Sequence, residues 1–339
     1  MDPITQGAFG AVFAQTQGNV KNITKAAVIG AIAGMVPDLD ILIRSMNDPL
    51  LALQYHRHFT HSLLFIPIGG LIVSLVLHPL LGRRFDIPFL QTLLWCIIGF
   101  ATHGLLDACT SYGTQLLWPI TDKRFAWDTI SVIDPLVTLP LLTMVIIAAR
   151  KKARRYAVIG ILWLALYFGL SAYQHQRALD EGQKFAASRG LNVLKIEAKP
   201  SFANILIWKI ITTTDNEYYI DAIKIGWNKP TIWQGTSIQK LSIPRDLPWL
   251  TADSQKDSQQ RKDIERFRWF SNGYIALDKQ NSNRVVDIRY SLLPQQIKPL
   301  WGIELSPTAG SDEHVAFYND RGDSASAIKQ LWKMLLVSD

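Results

Sequence analysis

Three of the seven histidines in this 339-residue chain fall within six residues, at positions 56, 58 and 61. Imidazole nitrogens are common metal ligands, and this density predicts a metal site. The alternative is an interfacial cluster, because the histidine side chain has an apolar body and a polar tip. We predict His56 and His61 as metal ligands. Arg57 is predicted to be catalytic, since a guanidinium can bind a phosphate through two parallel hydrogen bonds.

His103 and Asp107 form the clearest single pair, near the end of an apolar run. At positions i and i+4 of a helix both side chains lie on one face, within reach of a single ion. The alternative is a hydrogen bond that satisfies two buried groups. We predict both residues as metal ligands.

Asp38 and Asp40 interrupt an apolar run at residues 26–43. Pro37 removes a backbone donor, which predicts a break in the helix that turns both carboxylates to one side. A solvated helix end is the alternative. Ionisable groups inside an apolar run are costly in a membrane, so we predict Asp38 and Asp40 as ligands.

Asp128 and Asp134 are the last acidic candidates, and Asp134 directly precedes an apolar run. One of the two is expected to cap a helix. We predict Asp134 as a metal ligand and Asp128 as a general base or as a residue that orients a ligand histidine.

The apolar sequence that surrounds these residues predicts membrane helices. Four apolar runs have nearly the length that spans a bilayer as a helix, roughly 20 residues. They lie at 62–82, 88–106, 135–149 and 156–173. Hydrophobic residues are 48% of the chain and charged residues 19%, which excludes a disordered protein. Only two cysteines are present, which excludes a disulfide framework and a cysteine-based metal site. The predicted fold is an α-helical polytopic membrane domain at 1–173, followed by a smaller soluble α+β domain at 174–339.

The second half of the chain has strand-like alternation at 205–212, 218–225, 273–277 and 285–290. Helices are expected at 174–188, 252–268 and 325–336. The half contains no glycine-rich phosphate loop and no nucleophile elbow, so we predict an accessory domain.

Clusters of Lys and Arg predict the topology, because they favour the cytoplasmic side of a membrane. They lie at 21–25, 83–84 and 150–155. Placing all three in the cytoplasm puts the C-terminal domain and every predicted site residue on the extracytoplasmic side. The net charge of +7 then needs no nucleic-acid partner, and no nucleic-acid motif is present. The expected partner is the lipid bilayer; the oligomeric state is not predicted.

Imidazole and carboxylate ligands without thiolates suit Zn²⁺ or Mn²⁺, with one or two ions. Such ions activate a water nucleophile and stabilise developing negative charge, which predicts a metal-dependent hydrolase.

Several motifs together resemble the YdjM-type family of inner-membrane metal-dependent hydrolases. They are Met1-Asp2-Pro3-Ile4-Thr5, Pro37-Asp38-Leu39-Asp40, His56-Arg57 with Thr60-His61-Ser62, and His103 with Asp107 followed by Thr110-Ser111-Tyr112-Gly113. The resemblance implies an integral protein of the bacterial inner membrane. A distant similarity to zinc-dependent phospholipase C and P1-type nucleases implies a phosphoester substrate.

One position departs from the family pattern. Where the family has Thr-His near the N-terminus, this chain has Thr5-Gln6. If that histidine is a ligand, Gln6 weakens the metal site.

Two functions follow from these observations. The first is hydrolysis of a lipid or lipid-linked phosphoester at the extracytoplasmic face. The alternative is a non-enzymatic membrane protein with a structural His/Asp cluster and a C-terminal domain that binds a partner. Replacing His103 by Ala distinguishes them, since an enzyme loses turnover whereas a structural site first loses thermal stability.

Overall fold

The computed structural model describes residues 1–226, 229–253, 255–320 and 322–336. The chain divides into two compact units. The membrane unit comprises Met1–Leu42, Tyr55–Tyr173 and Phe202–Ile205. The C-terminal unit comprises Ile43–Gln54, Gln174–Ser201 and Leu206–Asp339. Segment 43–54 therefore packs with the C-terminal unit although it lies within the N-terminal half of the sequence.

Seven α-helices form in the first 188 residues. They are α1 (Pro3–Gln15), α2 (Ile23–Met35), α3 (Leu51–Tyr55), α4 (Ile66–Leu77), α5 (Phe89–Ala108), α6 (Pro135–Lys151) and α7 (Arg154–Ser188). Short 3-10 helices at Val36–Leu42, Phe59–His61, Leu63–Phe65 and Arg83–Phe85 and a π-helix at His78–Gly82 connect them.

Three helical stretches among the described residues are long and apolar enough to cross a membrane. They are Leu63–Phe85, Phe89–Ala108 and Arg154–Ser188, which confirms the predicted runs at 62–82, 88–106 and 156–173. The run at 135–149 forms α6, which has 17 residues and is at the lower limit of a span. The run at 26–43 is not one long helix, because α2 ends at Met35, just before Pro37.

Glycines bring α1, α2 and α5 into close contact. A Cβ atom on Gly10 would lie 2.1 Å from the carbonyl oxygen of Gly30, and one on Gly99 would lie 2.4 Å from the same oxygen. Small residues of this kind let helix backbones approach closely in a membrane protein. Fully buried Trp95 and Ile29 belong to the core beside this contact. The contact places the end of α2 beside α5, which carries His103 and Asp107.

The C-terminal unit contains two four-stranded antiparallel sheets, each with its strands in sequence order. The first has β1 (Lys195–Pro200), β2 (Ile207–Thr213), β3 (Glu217–Lys224) and β4 (Thr231–Gln239). The second has β5 (Ile275–Leu277), β6 (Arg284–Asp287), β7 (Trp301–Glu304) and β8 (Ala316–Asn319). Helices α8 (Ile243–Asp246), α9 (Gln259–Phe270) and α10 (Ser324–Leu336) accompany them.

The core of this unit lies where apolar residues of both sheets meet. Ile211 stands opposite Ile220 in the register of β2 and β3, and both pack with Ala276 and Val286 of the second sheet. These contacts confirm the predicted α+β architecture, and the four predicted strands correspond to β2, β3, β5 and β6. The helix expected at 252–268 begins only at Gln259, and residue 254 lies outside the described residues.

Candidate metal centre

Four of the predicted ligands converge in the membrane unit with one donor atom each. His61 Nε2 lies 3.5 Å from Asp38 Oδ1 and 3.4 Å from Asp107 Oδ2. His103 Nε2 lies 3.2 Å from Asp38 Oδ1 and 3.9 Å from Asp107 Oδ2. Ligand atoms about 2.0–2.2 Å from a tetrahedral ion lie about 3.3–3.6 Å from one another. These four distances, from 3.2 to 3.9 Å, lie in or near that range, and all four atoms lie within 4.8 Å of one another, so the group could hold one ion.

Three different elements supply these atoms. Asp38 lies on the 3-10 helix that follows the break at Pro37, and His61 ends the 3-10 helix Phe59–His61. His103 and Asp107 lie on one face of α5. Between them, Gly104 has no side chain, and a Cβ there would lie 2.2 Å from the carbonyl oxygen of His61. The backbone of His61 can approach α5 because position 104 is glycine.

The hydrogen bonds of His103 fix the role of its two nitrogens. Nδ1 lies 2.6 Å from the backbone carbonyl oxygen of Gly34. A carbonyl only accepts hydrogen bonds, so Nδ1 carries the proton and the neutral ring presents the lone pair of Nε2 to Asp38. Two acceptor atoms 3.2 Å apart need a cation between them, either a second proton or a metal ion. This arrangement is the one expected of a metal ligand.

The Asp40 carboxylate contacts two histidines and accepts hydrogen bonds from two further residues. Its Oδ2 accepts hydrogen bonds from the backbone N–H of Arg57 (3.0 Å) and the hydroxyl of Thr60 (2.8 Å), and lies 3.2 Å from His61 Nδ1. Its Oδ1 lies 2.8 Å from His56 Nδ1. A carboxylate on Nδ1 orients a histidine so that Nε2 faces the metal. Asp38, Asp40 and His56 also form a second group with metal-ligand spacing.

Arg57 lies beside the four converging ligand residues, and its catalytic role stays a prediction. Its Nε is 2.9 Å from Asp107 Oδ2, and Nη1 donates to the Thr110 hydroxyl at 3.0 Å. The backbone is in the left-handed region, with φ of 65°, which is costly for a residue other than glycine. Hydrogen bonds from its N–H to Asp40 and to its C=O from the Gln115 N–H stabilise this conformation.

Gln6 occupies the position where the family resemblance implies histidine. The residue is fully buried, and its Nε2 donates to Asp107 Oδ1 at 2.9 Å. The α-amino group of Met1 forms an ion pair with the same oxygen. Gln6 Oε1 is buried without a hydrogen-bond partner among the described residues. An unpartnered oxygen atom beside Asp107 fits a site that takes up a cation.

Access to the site is on the side of Asp38 and His56. Their side chains are 27% and 26% exposed, whereas those of Asp40, His61, His103 and Asp107 are fully buried. Leu39 and Leu42 project into the surroundings from the same 3-10 helix as Asp38, with 58% and 70% exposure.

The structure does not bring Asp134 to the other predicted ligands. Its Oδ1 accepts the N–H of Leu136 and caps α6, and its Oδ2 accepts the hydroxyl of Tyr167 at 2.8 Å. This placement corresponds to the helix-cap alternative. Asp128 is buried, with φ of 53°, and neither group with metal-ligand spacing among the described residues includes it. Its role as a base stays a prediction.

Sequence reasoning missed three contacts of the site. Thr110 binds Arg57, the ring of Tyr112 lies 4.9 Å from the Arg57 guanidinium, and the Gly34 carbonyl binds His103. Thr110 and Tyr112 closely follow Asp107, which was a usable signal. A backbone carbonyl leaves no signal in a sequence.

Comparison with known proteins agrees with the motifs. A model of the family described as YdjM inner membrane protein matches residues 1–178. The uncharacterized protein YfhP of Bacillus subtilis is 26% identical over 273 residues, which cover 78% of this chain and 77% of YfhP. The inner membrane protein YbcI of Escherichia coli is 35% identical over 108 residues, which cover 30% of this chain and 60% of YbcI. No solved structure matches the chain significantly. Since the family match covers more than half of its length, the chain belongs to the YdjM inner membrane protein family.

Proposed function

We infer that this protein is a membrane-bound metal-dependent hydrolase that acts on a lipid or lipid-linked phosphoester. The observation that carries the proposal is the convergence of two imidazole nitrogens and two carboxylate oxygens, beside the buried guanidinium of Arg57. A site made only of nitrogen and oxygen ligands suits Zn²⁺ or Mn²⁺.

Each residue has a separate role in this proposal. Asp38, His61, His103 and Asp107 would hold the ion, which would supply Lewis acidity. Because four protein ligands fill a tetrahedral site, the ion would need a fifth coordination position to bind and activate a water. Asp40 orients His61 and, with His56 and Asp38, provides ligands for a second ion. Arg57 stabilises negative charge on the phosphoryl oxygens, and Thr110 and Asp107 keep its guanidinium in place.

A lipid substrate is supported by the surroundings of the partly exposed ligands. Asp38 and His56 are reached from outside, and Leu39 and Leu42 expose apolar surface beside Asp38. Acyl chains would bury this surface while the phosphoester lies at the ion. The distribution of Lys and Arg supports placement of the site at the extracytoplasmic face.

The structural alternative also has an observation in its favour. Asp107 is already compensated by the Met1 amino group, Gln6 and Arg57. A cluster so connected would stabilise a membrane protein without turnover, with the C-terminal unit binding a partner.

Metal content tests the proposal. We expect one or two equivalents of Zn or Mn in the detergent-purified protein, and loss of the metal in His103→Ala and Asp107→Asn. His78→Ala is the matched control, because His78 lies on the neighbouring π-helix, contacts Thr92 and belongs to neither group. Absence of metal after reconstitution with each ion would refute the hydrolase.

Turnover then separates the two functions. Turnover is measured with phosphodiester and phosphomonoester lipids in mixed micelles. If the protein is a hydrolase, His103→Ala abolishes turnover. The melting temperature of the metal-free variant then stays close to that of the metal-free wild type. Bound metal without turnover of any phosphoester lipid, together with a large loss of thermal stability in His103→Ala, supports the structural alternative.

A further inference from the structure

Segment 43–54 connects two of the three elements that form the candidate metal centre, the 3-10 helices that carry Asp38 and His61. Asp38 and Asp40 lie just before it, and His56, Arg57 and His61 lie just after it. The chain leaves the membrane unit after residue 42 and returns to it at residue 55. The packing of this segment therefore belongs to the C-terminal unit, whereas the residues at both of its ends belong to the metal centre.

Arg266 of α9 anchors the segment through a bidentate ion pair. Its Nη1 and Nη2 donate to the two oxygens of Asp48 at 3.0 and 2.8 Å, and Nη2 also donates to Gln54 Oε1 at 3.1 Å. Asp263, fully buried on the same helix, accepts from Arg266 Nη1 at 2.9 Å and holds the guanidinium in position. Paired, parallel hydrogen bonds of this kind are directional as well as strong.

The electrostatics of the pair agree with this geometry. Burial alone would raise the pKa of Asp48, but the hydrogen bonds from Arg266 and the Leu50 N–H, together with the nearby positive charge, outweigh it and the pKa is lowered. Burial would lower the pKa of Arg266, but the hydrogen bonds to Asp48 and Asp263 raise it. Both groups are therefore charged at neutral pH.

Asp48 also connects the anchor to the next element. Its Oδ1 accepts the N–H of Leu50 at 3.0 Å, just before α3, and Leu50 is 2% exposed. Helix α3 ends at Tyr55, and His56 and Arg57 follow directly. Fixing Asp48 thus fixes the start of the short helix that leads into the metal centre.

We propose that the C-terminal unit positions the metal centre through the Asp48–Arg266 pair, with Asp48 and Arg266 as positioning residues. This inference rests on the proposed metal site. The pair keeps the two ends of segment 43–54 in the arrangement in which Asp40 accepts the N–H of Arg57 and lies against His61. The C-terminal unit then has a role in the chemistry without supplying a ligand.

The test uses the full chain in detergent and compares Arg266→Gln with a matched ion-pair variant. Arg284→Gln removes an arginine that pairs with Glu304 and Asp278 in the same unit, away from segment 43–54. We expect Arg266→Gln to raise the Kd for Zn²⁺ by up to about tenfold, the lower end of the effect of losing a hydrogen bond made directly to a metal ligand. Arg284→Gln should leave the Kd unchanged. The Kd of Arg266→Lys should lie between those of the wild type and Arg266→Gln, because lysine keeps the positive charge but cannot form the bidentate pair.

A second readout does not depend on metal. Hydrogen exchange of the Arg57 amide, which donates to Asp40, should become faster in Arg266→Gln and not in Arg284→Gln. Unchanged exchange in Arg266→Gln overturns the positioning role, as does an equal loss of metal affinity in both variants. If the wild type binds no metal, the proposed function fails, and the exchange of the Arg57 amide still decides whether the pair positions this segment.

Discussion

Asp107 shows how one carboxylate can serve two purposes. Its Oδ1 accepts from Gln6, while its Oδ2 faces His61 and the Arg57 guanidinium. The donors on Oδ1 hold the carboxylate in one orientation. Oδ2 is thereby directed at the point where the histidine nitrogens meet, so in the proposed metal site residues that do not contact the ion would control its affinity.

We predict that Gln6→Leu weakens the affinity for Zn²⁺ about tenfold, because Asp107 loses a donor that orients it. Gln15→Leu is the matched control. Gln15 is a second fully buried glutamine on α1, with an equally unpartnered Oε1, but its Nε2 donates to the carbonyl of Val145. Competition with a chelating dye measures both affinities, and an equal loss in the two variants would contradict a role for Gln6 at the site.

Lys209 of β2 is a buried ionisable residue outside the candidate metal centre. It is 4% exposed, and its ammonium group donates to the Ser291 hydroxyl at 2.8 Å and the Gln296 carbonyl at 3.2 Å. Lys199 stands directly opposite in the register of β1 and β2. Burial, more than this neighbouring charge, lowers the pKa of Lys209 from 10.5 to about 7. Folding therefore favours the neutral amine.

This lowered pKa predicts a pH-dependent stability. Between about pH 7 and pH 10.4 the unfolded chain binds a proton that the folded one does not, so the Lys209 contribution to stability rises with pH. Below pH 7 the full cost of the buried charge is present. We expect Lys209→Met to raise the melting temperature at pH 6.5, and to flatten its rise towards pH 9.5. Lys184→Met, at an exposed position, should change neither.

At the scale of elements, the α1–α2 contact depends on the absence of side chains. Gly10 and Gly30 face each other so closely that a Cβ on either would lie within 2.3 Å of the carbonyl oxygen of the other. The obstacle is backbone, which cannot rotate away as a side chain can. Any substitution there must separate the helices.

We predict that Gly10→Ala lowers the free energy of unfolding by about 1–3 kcal/mol, the usual cost of overpacking. Gly169→Ala on α7 is the control, because a Cβ at Gly169 meets nothing within 4 Å. Thermal unfolding in detergent compares the two variants. Equal melting temperatures would show that α1 and α2 can separate without cost.

Elements whose patterns are local were predictable, and elements stabilised by distant partners were not. Pro37 predicts the end of α2 because the effect of proline is confined to its own turn. Strand β4 went unpredicted because the polar residues and glycine at 234–237 separate its apolar ones, and β1 because it has only Ile196 and Ala198 as apolar residues before Pro200. Their strand geometry comes from pairing with β2 and β3.

At the scale of the whole molecule, orientation in the membrane is set by charge. The basic residues between α6 and α7 favour the cytoplasm, so α7 would lead outward and the C-terminal unit would lie outside. We predict that a cysteine at Asp253, whose side chain is 94% exposed, is labelled by an impermeant maleimide in intact spheroplasts. A cysteine at Lys151 should be labelled only after lysis.

Both cysteines are introduced into the Cys109→Ala protein. Cys109 is removed because it is only partly buried, whereas the other native cysteine, Cys96, is buried. The reverse labelling pattern would place the C-terminal unit, and with it the proposed hydrolysis, on the cytoplasmic side.

From the sequence alone, the two-part architecture, the break before the aspartates and the residue types of a candidate metal site were predictable. These follow from composition, from proline and from the i, i+4 spacing of His103 and Asp107, all of which act over short stretches of chain. Tertiary packing makes Asp134 cap a helix, brings Asp40 into contact with both His56 and His61, and pairs Asp48 with Arg266, 218 residues away. The reason is physical: a carboxylate carries the same charge in every role, and the packing of distant segments selects the hydrogen-bond donor or cation that it meets.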